Sequence, residues 1–386
     1  MRVIIDATLL CLRQYTKGGV QRYLRNLLLH LDTAEGSAEF VLFFSFIHPA
    51  NLPLFRAVCG DVARTGLDCR IVSPRIPPQV FNALHIPVEV FTGRADVMHT
   101  PIAFPAPLWR ARSVLTIHDL AYLEHPECFI PRHVAIWKRK VMRAIDRAAR
   151  IIAVSEYSKA AVVERLGVPP ERVRAIYHGI SPVFRSKEDG EEWREVARRL
   201  GLERPYILFV GTIQPNKNVQ RLLDAFVRIG RMGFPEHCLV LVGQRGWLSE
   251  PIYEYANRLG LGGRLIFTEY VEDPTLVTLY RHADVFVLPS LCEGFGIPII
   301  EAMACGTPVV ASNTGALPEV VADAGVLVDP YSAKAIAEGL AEVLSTPGLR
   351  ERMVARGARR VADFTWERAA RETIAVYREV AAGPRR

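Results

Sequence analysis

Short apolar runs closed by a polar or glycine-containing turn recur along the whole chain, separated by amphipathic stretches. In the first half they are VII, VLFFSF, RIVS, DVMHT, VLTIHD, IIAVS and RAIYH; in the second, YILFVGT, LVLVG, RLIFTEY, DVFVLPS, TPVVAS and GVLVDP. Runs that are apolar on both faces suit strands covered on both sides. Stretches such as Val20 to Leu31 and Ser158 to Leu166 supply the helices between. Parallel strands need such crossovers, so the rhythm predicts an open parallel sheet with helices on both faces.

The rhythm restarts after a charged, helix-favouring segment, Ser186 to Pro205. At 386 residues the chain exceeds the roughly 250 to 300 over which one core grows. The expectation is an α/β protein of two doubly wound, Rossmann-like domains, residues 1–185 and 186–364, joined near 181–205. A C-terminal helix, 365–386, with Thr365 as N-cap, is expected to pack back on the first domain. Ligands of such sheets bind beyond the carboxyl ends of the strands, which makes the cleft between the halves the expected site.

Half of the residues are hydrophobic and 23% are charged, the balance of a folded globular chain. Net charge is +7 and the pI about 9.1, which favours an anionic partner without choosing one. No RNA-binding or zinc-finger signature accompanies the charge, so nucleic acid is not expected. Cysteines at 11, 59, 69, 128, 238, 292 and 305 have no metal-ligand spacing; the odd count reads as reduced thiols in a cytosol. The opening MRVIIDATLL is too short an apolar run for a signal sequence, and no run approaches the roughly 20 residues that cross a bilayer.

Chemistry concentrates in CEGFGIPIIEAMACGTPVV, Cys292 to Val310. A strand ends at Ser290, Gly294, Phe295 and Gly296 form a loop, and Pro298 suits the first position of a helix. Glycines let backbone amides approach a ligand, and the free N–H groups of a helix start favour phosphate or hydroxyl oxygens. Glu301 falls roughly 6 Å further along the helix axis than the loop, so it and Glu293 can line one site while touching different parts of a long ligand. A helix-dipole role for Glu301 with a solvated Glu293 is the plain alternative. A glycosidase pair is another, though these acids share one loop and helix instead of facing each other.

EGFGIPIIEAMACGTPVVAS resembles the E-x7-E signature of retaining family 4 glycosyltransferases, which have the two-domain GT-B architecture. The likeness extends through KGGVQRYLRNLL, LTIHDLAY, RIIAVSEYSKAAVVERLGV, HGISPVF, GTIQPNKNVQRLLDAF, LVGQRGW and LYRHADVFVLPSLCEGFG, nearly the whole chain. It implies a metal-independent enzyme that needs no cofactor and moves a sugar from a nucleoside diphosphate donor to an acceptor hydroxyl. Glu301 would hydrogen-bond the donor ribose; Glu293 and the amides of Phe295 and Gly296 would sit by the sugar and diphosphate. Lys217 would pair with the diphosphate, and His118, in the HDL element, would touch the sugar hydroxyls. Asp119 would orient His118 or assist the acceptor. Gly18 and Gly19 would bring backbone near the donor phosphate.

The chain departs from many relatives by having Thr212 and Asn216 where a second cation often stands. Arg245, in GQRGW, is the candidate substitute. GDP-mannose is the first expected donor and UDP sugars the next; the acceptor is expected to be a glycan or lipid-linked glycan. A nucleotide-sugar epimerase or hydrolase, or a non-catalytic nucleotide-sugar-binding subunit, are the rival readings.

Ser155 and Ser158, in SEYSK, read as helix-capping residues. Arg132 to Arg150 holds seven Lys or Arg and one Asp. Val134, Trp137, Val141, Ile145 and Ala148 form an apolar stripe, with Arg139, Arg143, Arg147 and Arg150 opposite. Such a helix packs on its own domain or lies on an anionic bilayer. The expected location is the cytoplasm, with peripheral attachment at the inner face of the membrane as the alternative.

Overall fold

The computed structural model describes the whole chain except residues 13–17, 32–37, 46–47, 65, 78–79, 81–82, 104–105, 187–191 and 384–386. Seven strands form the first sheet: β1 (Arg2–Asp6), β2 (Glu39–Phe43), β3 (Cys69–Val72), β4 (Val97–Thr100), β5 (Arg112–Ile117), β6 (Ala148–Ala153) and β7 (Val173–Ala175). Six form the second: β8 (Tyr206–Val210), β9 (Cys238–Val242), β10 (Leu265–Glu269), β11 (Val285–Leu288), β12 (Val309–Ser312) and β13 (Gly325–Val328). Each apolar run singled out in the sequence supplies one strand, and all pairings between named strands are parallel.

The orders are β3-β2-β1-β4-β5-β6-β7 and β10-β9-β8-β11-β12-β13. The chain therefore builds outward from β1 to β3, returns to the other side of β1 with β4, and repeats the manoeuvre at β8 and β11. Such a switch point opens a crevice beyond the carboxyl ends of its two central strands, because the connections leave in opposite directions. Helices cover both faces, so central strand residues such as Ile4, Ile5, Val240 and Leu241 are wholly buried.

The chain divides into two compact units: Met1–Leu120 with Ala135–Gly179 and Trp366–Arg386, and Ala121–Val134 with Ile180–Thr365. Against the expected bounds of 1–185, 186–364 and a returning helix over 365–386, residues 121–134 and 180–185 join the second unit, and hydrogen bonds within that unit give the reason. Trp247 Nε1 donates to the Cys128 carbonyl at 2.9 Å, and the Cys292 thiol donates to Glu124 at 3.2 Å. Ile180 N donates to the Phe364 carbonyl at 3.1 Å, and Arg185 reaches the Val361 carbonyl at 2.8 Å. Part of the linker expected over 181–205, residues 187–191, lies outside the described residues.

The C-terminal helix, Trp366–Ala382, belongs to the first unit, where Trp366, Ile374 and Tyr377 join the core beside Tyr23, Leu24 and Leu27. A second helix differs from its expected extent. It runs Pro131–Arg147, because Ala148 and Arg150 pair in β6 with Ser113 and Val114 of β5. Val141 and Ile145 of the expected stripe are buried, while Arg139, Arg143 and Arg147 are exposed. No described helix is long and apolar enough to cross a membrane.

Candidate active site

In the second unit the switch point lies between β8 and β11, and the loops leaving both strands are tied together. The β8 loop turns through Pro215–Lys217 to Asn218, whose φ of +60° starts the helix Val219–Arg231. Asn218 Nδ2 donates to the carbonyls of Pro289 (2.9 Å) and Pro330 (2.7 Å), stapling the turn to the ends of β11 and β13. Leu291 N donates to the Asn216 carbonyl at 2.9 Å. With backbone donors and acceptors satisfied this way, a loop keeps one conformation without regular structure.

On this frame Lys217 Nζ lies 2.5 Å from Glu293 Oε1, and Ser290 Oγ donates to the same oxygen at 2.7 Å. Both members of the ion pair are only partly exposed, 17% and 15% of their side-chain surface. The Glu293 backbone is fixed as well: Ala316 N donates to its carbonyl at 3.0 Å. Gly315 stands so close that a Cβ there would come within 2.9 Å of Glu293 N and O.

Gly294, Phe295 and Gly296 are buried and lead into the helix Ile297–Ala304. Gly296 has φ +96°, left-handed backbone that a side chain resists. Glu301, fifth in that helix, is 3% exposed, and its Oε2 accepts from the Tyr280 hydroxyl at 3.1 Å. Burial, followed by the Glu301 carboxylate, pushes the Cys305 thiol up to about 12.

The remaining second-unit candidates stand nearby in the fold but face different neighbours. Thr212 packs where the β8 and β9 loops meet, with Ile213 and Arg245 forming a parallel bridge. Asn216 is buried and its Oδ1 accepts from Gln214 Nε2 at 2.8 Å. The Arg245 guanidinium lies 4.1 Å from the Tyr253 ring centre and 3.7 Å from a Glu250 oxygen.

His118, Asp119, Gly18 and Gly19 belong to the first unit. His118 follows β5, with Nε2 3.0 Å from the Pro101 carbonyl, so Nε2 carries the proton and Nδ1 is left as an acceptor. Tyr23 meets the ring edge-on at 4.9 Å and His178 stacks at 5.8 Å. Burial lowers the His118 pKa to about 4, against the opposing pull of the Pro101 carbonyl, so the ring is neutral near neutral pH. Asp119 is exposed. Gly18 caps the helix Gly19–His30 in extended conformation (φ −113°), so no left-handed turn calls for glycine there.

Below them runs a buried chain of hydrogen bonds: Tyr377 Oη to His99 Nδ1 (2.6 Å), His99 Nε2 to Thr116 Oγ1 (2.7 Å), and Thr116 Oγ1 to Tyr23 Oη (3.2 Å). Sequence reasoning missed Ser290, Tyr280, Gly315 and Tyr23. Of these only Ser290 carried a usable signal, a hydroxyl at a strand end three residues before an acid. Ser155 Oγ accepts from Ser158 N at 2.9 Å and caps Glu156–Leu166, the structural role expected of this pair.

Residues 189–360 match the family model for glycosyl transferases group 1, and residues 17–184 that for glycosyltransferase family 4. O-antigen chain mannosyltransferase B of Escherichia coli is 33% identical over 270 residues, 69% of this chain and 70% of that protein. A D-inositol 3-phosphate glycosyltransferase of Paenarthrobacter aurescens is 28% identical over 404 aligned positions, covering 96% of this chain and 95% of that one. Among solved structures, sucrose-phosphate synthase from Thermosynechococcus elongatus superposes with a TM-score of 0.74 at 21% identity, covering 99% of both chains. WaaG, a glycosyltransferase involved in lipopolysaccharide biosynthesis, gives 0.68 at 18%, covering 99% of this chain and 100% of that one. The structural likenesses bear on the fold: two Rossmann-like domains of the GT-B type.

Proposed function

The chain belongs to the group 1 glycosyltransferases of family 4, and from that premise we propose that its donor is a nucleoside diphosphate sugar, GDP-mannose first and UDP sugars next. The observation that carries the reading is the Lys217–Glu293 pair with Ser290 at the β8/β11 switch point. A fixed ammonium there meets the charge that grows on a departing diphosphate, and it does so in a partly desolvated setting where the interaction is strong. The amides of Gly294, Phe295 and Gly296 at the helix entrance add uncharged donors for the same oxygens. No metal ion is required in this reading.

Glu301, anchored by Tyr280, is the acceptor for the ribose hydroxyls. In the first unit His118, neutral and holding its Nδ1 as acceptor, receives a sugar hydroxyl, and Asp119 either orients His118 or assists the acceptor substrate. Gly18 and Gly19 offer backbone to the donor phosphate. Thr212 and Asn216 contribute polar contacts, and Arg245 joins them only by leaving Tyr253. Transfer proceeds with retention by front-face displacement. The acceptor oxygen bonds the anomeric carbon as the bond to the diphosphate oxygen breaks on the same face, and the acceptor proton passes to that leaving oxygen.

The acceptor is a glycan or lipid-linked glycan; the names of the O-antigen mannosyltransferase and of WaaG support polysaccharide assembly. The basic face of the helix Pro131–Arg147 is where an anionic bilayer would be met. A panel of nucleotide sugars, read by the rise in melting temperature, tests the donor. The sugar that stabilises the protein should lose that effect in Lys217→Ala and Glu301→Ala; undiminished shifts in both variants would remove the proposed site.

A further inference from the structure

The amino-terminal edge of the first sheet carries a second polar feature, a cleft of about 1110 Å³ at the starts of β1, β4, β5, β6 and β7. Seven arginines line it against three acids, Asp96, Asp146 and Glu171. Four of the arginines are structural, Arg150 among them, its guanidinium donating to the Ala149 carbonyl at 3.2 Å and lying 3.9 Å from a Glu379 oxygen. Arg2 pairs with Glu39 at 3.1 Å, Arg112 donates to the Val380 carbonyl, and Arg172 donates to the carbonyls of Ile145 and Ala148.

Arg94, Arg110 and Arg147 are different: each is exposed, and none of their guanidinium groups pairs with an acid or donates a hydrogen bond among the described residues. Unpaired guanidinium groups converging on a concave surface raise the local positive potential and concentrate anions.

The segment bearing Arg110 is also held in place. Glu89, 8% exposed, accepts from three successive backbone amides: Trp109 (2.9 Å), Arg110 (2.8 Å) and Ala111 (2.8 Å). That clamp leaves Trp109 standing 73% exposed on the rim. A pre-ordered loop loses less entropy when a ligand binds. Guanidinium forks match phosphate oxygens in pairs, and an indole face beside them suits an attached organic group.

We propose that this cleft binds a phosphate-bearing ligand through Arg94, Arg110 and Arg147. It lies at the opposite end of the sheet from His118, about 20 Å away along β5 at about 3.3 Å per residue, and the inference needs nothing of the donor reading. The phosphate is that of a lipid headgroup or of a soluble molecule; the chemistry of recognition is the same.

The test is calorimetric titration of inorganic pyrophosphate into the full chain carrying Lys217→Ala, so that binding at the donor site is weakened. The same titration follows with Arg94→Gln, Arg110→Gln and Arg147→Gln added. Saturable binding is expected in the first protein, weakened about tenfold or more in the second, with affinity falling as salt is raised. Single substitutions at Arg94 and Arg147 give the same direction should the combined variant fold poorly.

Co-sedimentation with phosphatidylcholine vesicles, with and without phosphatidylglycerol, separates the sources. Retention on anionic vesicles that the arginine variant loses assigns a headgroup; pyrophosphate binding without retention assigns a soluble ligand. Pyrophosphate binding of equal strength in both proteins overturns the proposal. So does the absence of any binding together with vesicle retention that only Lys138→Gln, Arg139→Gln and Arg143→Gln on the neighbouring helix abolish.

Discussion

Tyr280 holds Glu301: the tyrosine hydroxyl donates to Glu301 Oε2 at 3.1 Å, with both side chains buried. The carboxylate proposed to receive the ribose is thus oriented by a residue from the preceding helix, Asp273–His282. Tyr280→Phe keeps the ring, which packs edge-on against Phe286 at 5.5 Å, and removes only the hydroxyl. A loss of about 1 to 3 kcal/mol in stability is expected, since a buried acceptor goes short of a donor. Donor KM should rise as well, and thermal melting together with steady-state kinetics reads both.

Lys217→Ala removes the cation that pairs with Glu293. The loss expected is on the order of 3 kcal/mol in transition-state stabilisation, about a hundredfold in kcat/KM for the donor. Lys217→Arg should recover part of it by keeping the charge while altering the fork geometry. Equal kcat/KM in the alanine variant and the parent would end the assignment of Lys217 to the leaving group.

Gly315→Ala introduces a Cβ within 2.9 Å of the Glu293 backbone at a φ of +64°. Strain of about 1 to 3 kcal/mol is expected. Because the clash is with Glu293 itself, turnover should fall more than it does for Gly348→Ala. That glycine has a similar φ, +71°, and its added Cβ would meet only the Arg352 side chain. Matching losses of activity in the two variants would separate Gly315 from the site.

Acid should destabilise the first unit through its buried histidines. Burial lowers the His99 pKa to about 3 and the His118 pKa to about 4, and takes His178 well below the ordinary value of 6.5. These rings are neutral when folded, whereas the unfolded chain protonates below about 6.5 and so binds more protons. Stability is therefore unaffected by them above that pH and falls as pH drops toward 4. The slope is on the order of 1 kcal/mol per pH unit for each ring. Denaturant midpoints measured between pH 7 and pH 5 should show the decline, and His99→Gln should flatten it. The same neutrality means that activity should not change through a His118 titration near pH 6.5.

The parallel architecture was legible because it rests on local rules. A strand buried on both faces must be apolar throughout, so runs such as YILFVGT and DVFVLPS announce β8 and β11 without reference to anything distant. A glycine loop followed by Pro298 announces a helix start, and the acids around it mark the candidate site. Extents were less legible where pairing decides them. Ala148 to Arg150 continue a helical pattern, yet their backbone hydrogen bonds go to β5, and a sheet partner outweighs a local preference.

Amino-acid order alone determined which residues could be chemically useful, Lys217, Glu293, Glu301 and His118, since their side chains and local turns are properties of short segments. Only the tertiary structure decided who meets whom. Lys217 reaches Glu293 across 76 positions, Tyr280 reaches Glu301 across 21, and Tyr377 reaches His99 across 278. The convergence of arginines from five strand starts on one cleft is of the same kind. Such contacts arise from the strand order of a doubly wound sheet, which folds remote segments to one edge, and no spacing along the chain encodes them.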